Sequence, residues 1–190
     1  ADVYGWVAPG NPELAIRLAT ADAALSHRGD GVYGALIIAG WGAASPSEAS
    51  LELALDRALS FIPADSGAAQ AVELGRKLAS SGEGVAEIHS TYADLSPVHT
   101  NNNLALVVWA VLTHADDFGA AIGDVVAAGW DTDCNGATVG ALWALQGKPI
   151  PEKWVTPWQG RVGVSIAGQG ELRLEDLVAR SLAVAQSLSG

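Results

Sequence analysis

The 190-residue sequence has little of what several protein classes require. It contains no Met, even at position 1, and only one Cys. The missing Met predicts a processed chain or a piece of a longer one, and a single Cys excludes an internal disulfide framework. A lone thiol is typical of a reducing compartment, so we expect a cytoplasmic protein.

Basic residues and long apolar runs are also scarce. Lys and Arg number 10 against 21 Asp and Glu, which gives a net charge of -11. That charge repels phosphate backbones, and no basic cluster offsets it, so we expect no nucleic-acid partner. The longest apolar stretch, "GVYGALIIAGWGAA" at 31–44, is interrupted by glycines and too short to cross a bilayer. An acidic protein can still bind an anionic ligand when a divalent metal neutralises part of the site.

What is present points to a folded helical protein. Hydrophobic residues make up 49% of the chain and charged residues 16%, which favours one globular domain over residues 1–190 with a sizeable core. In "NPELAIRLATADAALSH", Asn11 is the expected N-cap and Pro12 the first helical residue. The spacing places Leu14 and Leu25 on one buried face, together with Leu18 and Ala21.

Helical patterns recur along most of the chain. Residues 31–44 and 102–114 are apolar on all sides and predict two buried helices. Ser45 or Ser47 is the expected cap of a helix opened by Pro46. Further helices are predicted in 67–81, ended by Gly82, in 116–128, capped at Asp116, and in 172–188. The only strand signal is 160–168, and 147–160 predicts an ordered surface loop, so the predicted fold class is all-α.

The seven Trp residues divide by context. Trp41, Trp109 and Trp143 lie in apolar helical runs and are expected in the core. Trp154 and Trp158 flank prolines in the 147–160 loop, where they would serve as packing anchors or form the rim of a pocket.

The stretch "AAGWDTDCNGATVGALWAL", Ala127 to Leu145, carries the main chemical signal. Asp131 or Asp133 could cap the helix that follows, because a side-chain oxygen can accept an orphan backbone N–H. Alternatively, two carboxylates one residue apart in a turn can converge on one hard cation. The same turn can do both. H-x-x-x-H pairs, G-x-S-x-G and P-loop sequences are absent, which removes the support for a zinc protease, a serine esterase or a P-loop nucleotidase.

This stretch resembles the C-terminal metal motif of the ADP-ribosylglycohydrolase family, which includes the dinitrogenase reductase-activating glycohydrolase. The family carries Gly-(Gly)-Asp-Thr-Asp-Thr before a small-residue helix. The segment "HADDFGAAIGDVVAA" precedes the motif as it does in the family. Upstream, "VAPGNPELAIRLATADAALSHRGDGVYGALIIAG" resembles the segment after the family's substrate loop. Together the similar segments cover most of residues 1–147.

The resemblance implies an all-α hydrolase with two Mg²⁺ or Mn²⁺ ions that cleaves an N- or O-glycosidic bond to ADP-ribose. The metal ligands carried over are Asp131 and Asp133. Cys134 stands where the family has a third ligand, a Thr hydroxyl, and a thiol is a poor match for Mg²⁺. Trp130 replaces a residue that is usually glycine, and it would either stack on a ligand ring or fill a gap.

The resemblance also assigns a pocket position to His27, which otherwise reads as a surface residue at a helix C-terminus. His99 precedes Asn101 to Asn103, a cluster expected to cap a helix, and ligand contacts by His99 or Asn102 stay open. The family's remaining metal ligands and its acidic catalytic residue have no counterpart in this sequence. The chain therefore resembles the C-terminal portion of such an enzyme, and its catalytic residues remain unknown.

Two functions follow as expectations. One is a glycohydrolase acting on an ADP-ribose compound or an ADP-ribosylated protein, with the missing half supplied by a second polypeptide. The other is a non-catalytic ligand-binding or interaction module derived from the same family.

Overall fold

The computed structural model describes residues 1–189, and the chain is all-α as predicted, with one short hairpin near its C-terminus. The bounds of the helices are α1 Asp2–Trp6, α2 Pro12–Ser26, α3 Asp30–Ala44, α4 Leu51–Leu59, α5 Gly67–Ser81, α6 Ala86–Thr91, α7 Thr100–Thr113, α8 Phe118–Ala127, α9 Thr132–Ala144, α10 Glu152–Val155 and α11 Leu174–Ser189. Strands β1 Arg161–Gly163 and β2 Glu171–Arg173 pair antiparallel, with Val162 opposite Leu172.

Helices α3 and α7 form the centre of the molecule, as their apolar sequences predict. Helix α3 packs against α1, α2, α4 and α7, while α7 packs against α5, α8 and α9. Ile37 and Trp41 of α3 and Leu106 and Val108 of α7 are fully buried. Because both helices are covered on all sides, neither shows the polar stripe of a surface helix.

Small residues let these helices approach closely. A Cβ atom on Gly75 of α5 would lie 2.7 Å from the backbone oxygen of Ala105 and 2.9 Å from Cβ of Val108 in α7. A Cβ on Gly5 of α1 would lie 2.9 Å from the backbone oxygen of Ala39 in α3. Neither contact leaves room for a methyl group, so the interhelical distance here depends on glycine.

The start of α2 is as predicted, but its buried face is so only in part: Leu14 is buried and Leu18 half-buried, whereas Ala21 is exposed. The Asn11 side chain accepts a hydrogen bond from Leu14 N–H at 3.0 Å, with Pro12 as the first helical residue. Leu25, expected in the core, is 82% exposed. The buried face consists of Leu14, Ala15, Ala19 and Ala23, because α2 packs against the glycine-rich α3 through small side chains.

Three other helix starts differ from the prediction. Helix α4 begins at Leu51 with Ser50 as its cap, because α3 continues to Ala44 and residues 45–50 form the connecting turn. Asp117 rather than Asp116 caps α8, through a bond from Ala120 N–H at 3.0 Å. The cap of α7 is His99, and the three Asn residues occupy its first turn instead.

The three tryptophans predicted in the core are buried, and each indole N–H has a partner. Trp41 donates to the backbone oxygen of Leu51 at 2.7 Å, Trp109 to that of Glu83 at 3.2 Å and Trp143 to that of His114 at 3.1 Å. Trp154 packs edge-on against Phe118 with ring centroids 5.5 Å apart, whereas Trp158 is 60% exposed. The predicted 147–160 loop contains α10 and a turn of 3₁₀ helix over Thr156–Trp158.

The C-terminal region lies at the periphery. Strand β2, Glu171–Arg173, includes residues 172 and 173, which were expected to begin the last helix. Within α11, Ala185 is the one residue that is buried among those described, and Leu174, Val178 and Leu182 are exposed. Among residues 1–189, none of the helices has the length and hydropathy required to cross a membrane.

Candidate metal centre and adjoining cavity

The turn before α9 presents Asp131. Gly129 and Trp130 both have positive φ angles, 85° and 58°, which reverse the chain after α8. Asp131 then occupies the N-cap position, and its backbone oxygen accepts a bond from Asn135 N–H at 2.9 Å. Its carboxylate accepts no hydrogen bond from the N–H groups of α9. The capping interpretation therefore describes where Asp131 lies but not what its side chain does.

Asp131, at the end of this turn, converges with Asp133 and Cys134 in the first turn of α9. Each offers one potential ligand atom, and these atoms lie within 4.8 Å of one another. Asp131 is half-buried, while Asp133 and Cys134 are exposed. Among residues 1–189 this is the one group of three or more His, Cys, Asp or Glu side chains that converges in this way.

The ionisation of the three groups is linked. A hydrogen bond with the Asp131 side chain lowers the pKa of Asp133, and the backbone N–H groups of Asp133 and Cys134 lower it further. A hydrogen bond to Asp131 raises the pKa of the Cys134 thiol, and burial and the negative charges of Asp131, Asp133 and Asp2 raise it as well. Cys134 is therefore a protonated thiol at neutral pH.

These residues fit a hard divalent cation through two of the three groups. The Asp131 carboxylate is not consumed by helix capping, and carboxylate oxygens are the ligands that hard divalent cations prefer. Cys134 fits less well, because a protonated thiol is a weak ligand for Mg²⁺ and a bound metal must first displace its proton.

A cavity of about 350 Å³ adjoins the turn. Its walls come from α1, α2, α3, α7 and α9, and the turn before α7 closes one side. Of the residues predicted from the sequence, the cavity is lined by His27, His99, Asp131 and Cys134. The folded chain thus brings together side chains that are distant in the sequence.

The two histidines differ in how they are held. His27 follows the last residue of α2, and its Nδ1 lies 2.8 Å from Ser26 Oγ. His99 uses Nδ1 to accept a hydrogen bond from Asn101 N–H at 3.2 Å. A neutral His99 ring therefore carries its proton on Nε2, where it is a hydrogen-bond donor.

Trp130 is not among the residues that line the cavity. Its ring packs against His89 of α6, with centroids 4.3 Å apart and an interplanar angle of 44°. Two roles were considered for Trp130, stacking on a ligand ring and filling a gap. Its contact with a protein side chain favours the second role. His89, which shows no signal in the sequence, provides that side chain.

Asp2 is a cavity residue that sequence reasoning missed. Its Oδ1 is buried without a hydrogen-bond partner, and its Oδ2 lies 3.5 Å from Thr138 Oγ1 of α9. Asp22 and Tyr4 line the same cavity, and a hydrogen bond to Asp22 raises the pKa of Tyr4. No spacing rule connects these positions to Asp131, so only the fold reveals them.

Asn103 is the second residue that was missed. Its Oδ1 accepts hydrogen bonds from Asp131 N–H at 3.2 Å and from Asn135 Nδ2 at 2.7 Å. Asn102, which the sequence left open as a ligand contact, is fully buried and donates to the backbone oxygen of Ser96 at 3.1 Å. Of the three Asn residues, Asn103 is therefore the one that reaches the turn before α9, while ligand contacts by Asn102 stay a prediction.

A larger cavity, about 670 Å³, lies between residues 45–52 and the surfaces of α5, α7 and the end of α9. Its two cationic side chains are already paired, Arg76 with Asp56 at 2.6 Å and Lys148 with Asp116 at 2.5 Å. It holds neither the acidic turn nor a predicted histidine, so its size alone does not make it the functional site.

Comparison with known proteins agrees with the resemblance noted in the sequence. The sequence model of the ADP-ribosylglycohydrolase family matches residues 3–188, essentially the whole chain. Searches among curated proteins and among solved structures return no match. The chain belongs to the ADP-ribosylglycohydrolase family.

Proposed function

We propose that this chain is the metal-binding part of a hydrolase that cleaves a glycosidic bond to ADP-ribose or a related ribosyl compound. The observation that carries the proposal is the convergence of Asp131 and Asp133, beside a cavity that His27 and His99 also line. Family membership supplies the reaction class, and the geometry of the turn supports a divalent cation, Mg²⁺ or Mn²⁺.

Each residue has a defined task in this proposal. Asp131 and Asp133 hold the cation, which when bound polarises ribose hydroxyls and water. His99 donates from Nε2 to an acceptor oxygen of the ligand, and His27 contacts the ribose or phosphate part. The general acid or base is a carboxylate outside residues 1–189, and the second metal of a dinuclear site uses ligands from the same source.

The test is release of ADP-ribose from ADP-ribosyl-arginine and from an ADP-ribosyl-serine peptide. The assay is run on the chain alone and together with any polypeptide that co-purifies with it, with Mn²⁺ or with a chelator. We expect metal-dependent turnover when the missing ligands are supplied, and its loss in Asp131→Ala. Full activity of Asp131→Ala would refute the assignment of the metal ligand.

A second function, a non-catalytic ligand-binding module, is favoured by one observation. Cys134 stands at the third ligand position, and the hydrogen bond to Asp131 keeps its thiol protonated. A site with two strong ligands can bind a metal and a ribosyl compound without activating water. Binding of ADP-ribose by calorimetry, without turnover in any metal condition, would favour this module over the hydrolase.

A further inference from the structure

We propose that Asn103 is the positioning residue of the turn at residues 129–131, called the metal turn below. Its side chain joins the segment before α7 to the start of α9, and so fixes Asp131. The inference rests on the proposed metal function, because Asp131 is the residue that Asn103 holds. It concerns a side chain that contacts neither the cation nor a substrate in that proposal.

The Asn103 amide uses its full hydrogen-bonding capacity. On one side Nδ2 donates to the backbone oxygens of Pro97 and His99, each at 2.8 Å. On the other side Oδ1 accepts from Asp131 N–H and Asn135 Nδ2. Backbone oxygens only accept and a backbone N–H only donates, so these partners fix which end of the amide faces which wall.

Only a side-chain amide offers this set of donors and acceptors, and glutamine would carry it one methylene farther from the backbone. Aspartate would place carboxylate oxygens against the backbone oxygens of Pro97 and His99, where only a donor is satisfied. Alanine or leucine would leave the Asp131 N–H and the buried Asn135 amide without an acceptor. The requirement is therefore for two donors and two acceptor lone pairs at one position.

The bond to Asp131 restrains a backbone that would otherwise relax. Asp131 follows two residues with positive φ, of which Trp130 carries a bulky side chain that disfavours this conformation. Such conformations persist when several contacts over-determine them. Here the contacts are the His89 ring against Trp130 and the Asn103 oxygen on Asp131 N–H.

The same side chain couples the metal turn to His99. The His99 backbone oxygen accepts from Asn103 Nδ2, and the His99 ring lines the cavity beside Asp131. If the segment before α7 or the start of α9 shifts, the hydrogen bonds of the Asn103 amide to the other segment are therefore strained. Outer-shell partners of this kind usually change metal affinity by about 10–100-fold when they are removed.

The test compares Asn103→Ala with Asn101→Ala. Asn101 lies in the same first turn of α7, but it donates to Asp30 Oδ2 at 3.1 Å, away from the cavity. Two quantities are measured: Mn²⁺ affinity by electron paramagnetic resonance, and the rate at which a disulfide reagent modifies Cys134, the only thiol in the chain. Asn103→Ser provides a second variant if the alanine variant does not fold.

We expect Asn103→Ala to bind Mn²⁺ about tenfold more weakly or worse and to be modified faster at Cys134. Asn101→Ala should lose stability but keep both values of the wild type. Wild-type values in Asn103→Ala, or equal changes in both variants, would overturn the inference. If the wild type binds no Mn²⁺, the proposed metal function fails, while the modification rates still decide whether Asn103 orders the turn.

Discussion

Cys134 lies where its thiol reports the state of the carboxylate beside it. The hydrogen bond to Asp131 and the surrounding negative charge raise the pKa of the thiol, so the reactive thiolate forms only at higher pH than usual. These 190 residues contain no other cysteine, so any thiol reactivity of this chain belongs to Cys134 at the start of α9.

Asp131→Asn removes that charge while keeping the size of the side chain. The pKa of Cys134 should fall, so the curve of modification rate against pH should shift to lower pH. Asp65→Asn, in the exposed loop before α5, serves as the control and should leave the curve in place. A curve that does not move in Asp131→Asn would show that Asp131 does not set the ionisation of the thiol.

Asp30 connects the starts of three helices. It is the first residue of α3, its Oδ1 accepts from Ala68 N–H of α5 at 3.1 Å, and its Oδ2 accepts from the Asn101 amide of α7. A Cβ on Gly67 would lie 2.4 Å from Asp30 Oδ2, so glycine is needed where the carboxylate approaches α5. A single side chain thereby fixes how α3, α5 and α7 meet.

Asp30→Ala should lower the free energy of unfolding by about 1.5–3 kcal/mol, because it leaves a backbone N–H and a buried amide without their charged acceptor. Urea denaturation followed by circular dichroism measures the change. The exposed Asp65→Ala should change stability by no more than about 0.5 kcal/mol. Equal effects of the two substitutions would mean that the three-helix contact contributes nothing.

The contact between α5 and α7 can be tested with a matched pair of glycines. Gly75→Ala places a methyl group against the α7 backbone and should cost about 1–3 kcal/mol. Gly123→Ala, in α8 with no atom near the new methyl group, should be neutral or stabilising by up to about 1 kcal/mol. If both variants unfolded at the same denaturant concentration, the result would contradict the close packing of α5 against α7 at Gly75.

Local patterns explain which elements could be predicted. Helices α2, α5 and α11 show apolar residues at helical spacing, and α3 and α7 are long apolar runs, so all five were clear from the sequence. Helices α1 and α6, with 5 and 6 residues, are too short to show a period. The cap of α7 was misassigned because Asn is a preferred N-cap residue and His is not, whereas the extended backbone at His99, with φ -72° and ψ 145°, decides the position.

In the candidate site as well, residues in a local sequence pattern could be predicted and residues joined by tertiary contacts could not. Asp131, Asp133 and Cys134 are neighbours in the sequence, so the motif could be recognised without knowledge of the tertiary fold. Asn103 contacts Asp131 across 28 positions, and Asp2 contacts Thr138 across 136. Contacts of that length depend on how α1, α7 and α9 pack, and no local pattern encodes them.

At the scale of the whole molecule, the packed centre contributes more to the free energy of unfolding than the C-terminal segment does. Removal of residues 174–190 takes away one buried residue among those described, Ala185, and should change the free energy of unfolding by no more than about 2 kcal/mol. Leu55→Ala, at a fully buried position, should cost about 2–5 kcal/mol. Loss of cooperative unfolding in the shortened chain would contradict this division.

The net charge of -11 also acts on the whole molecule. An excess of acidic groups disfavours the compact state through mutual repulsion, and Asp131 and Asp133 are two acidic groups that lie close together. A cation that binds the folded chain, and not the unfolded one, therefore stabilises the protein by mass action. Metal binding, as proposed, would link the acidic composition to the cluster of Asp131, Asp133 and Cys134.

The most direct measurement is Mn²⁺ binding by electron paramagnetic resonance to the wild type and to the double variant Asp131→Asn, Asp133→Asn, at matched ionic strength. The account predicts saturable binding to the wild type that the double variant loses, while circular dichroism shows both to be folded. Equal binding to the two proteins, or no saturable binding to the wild type, would contradict the metal centre on which the proposed function depends.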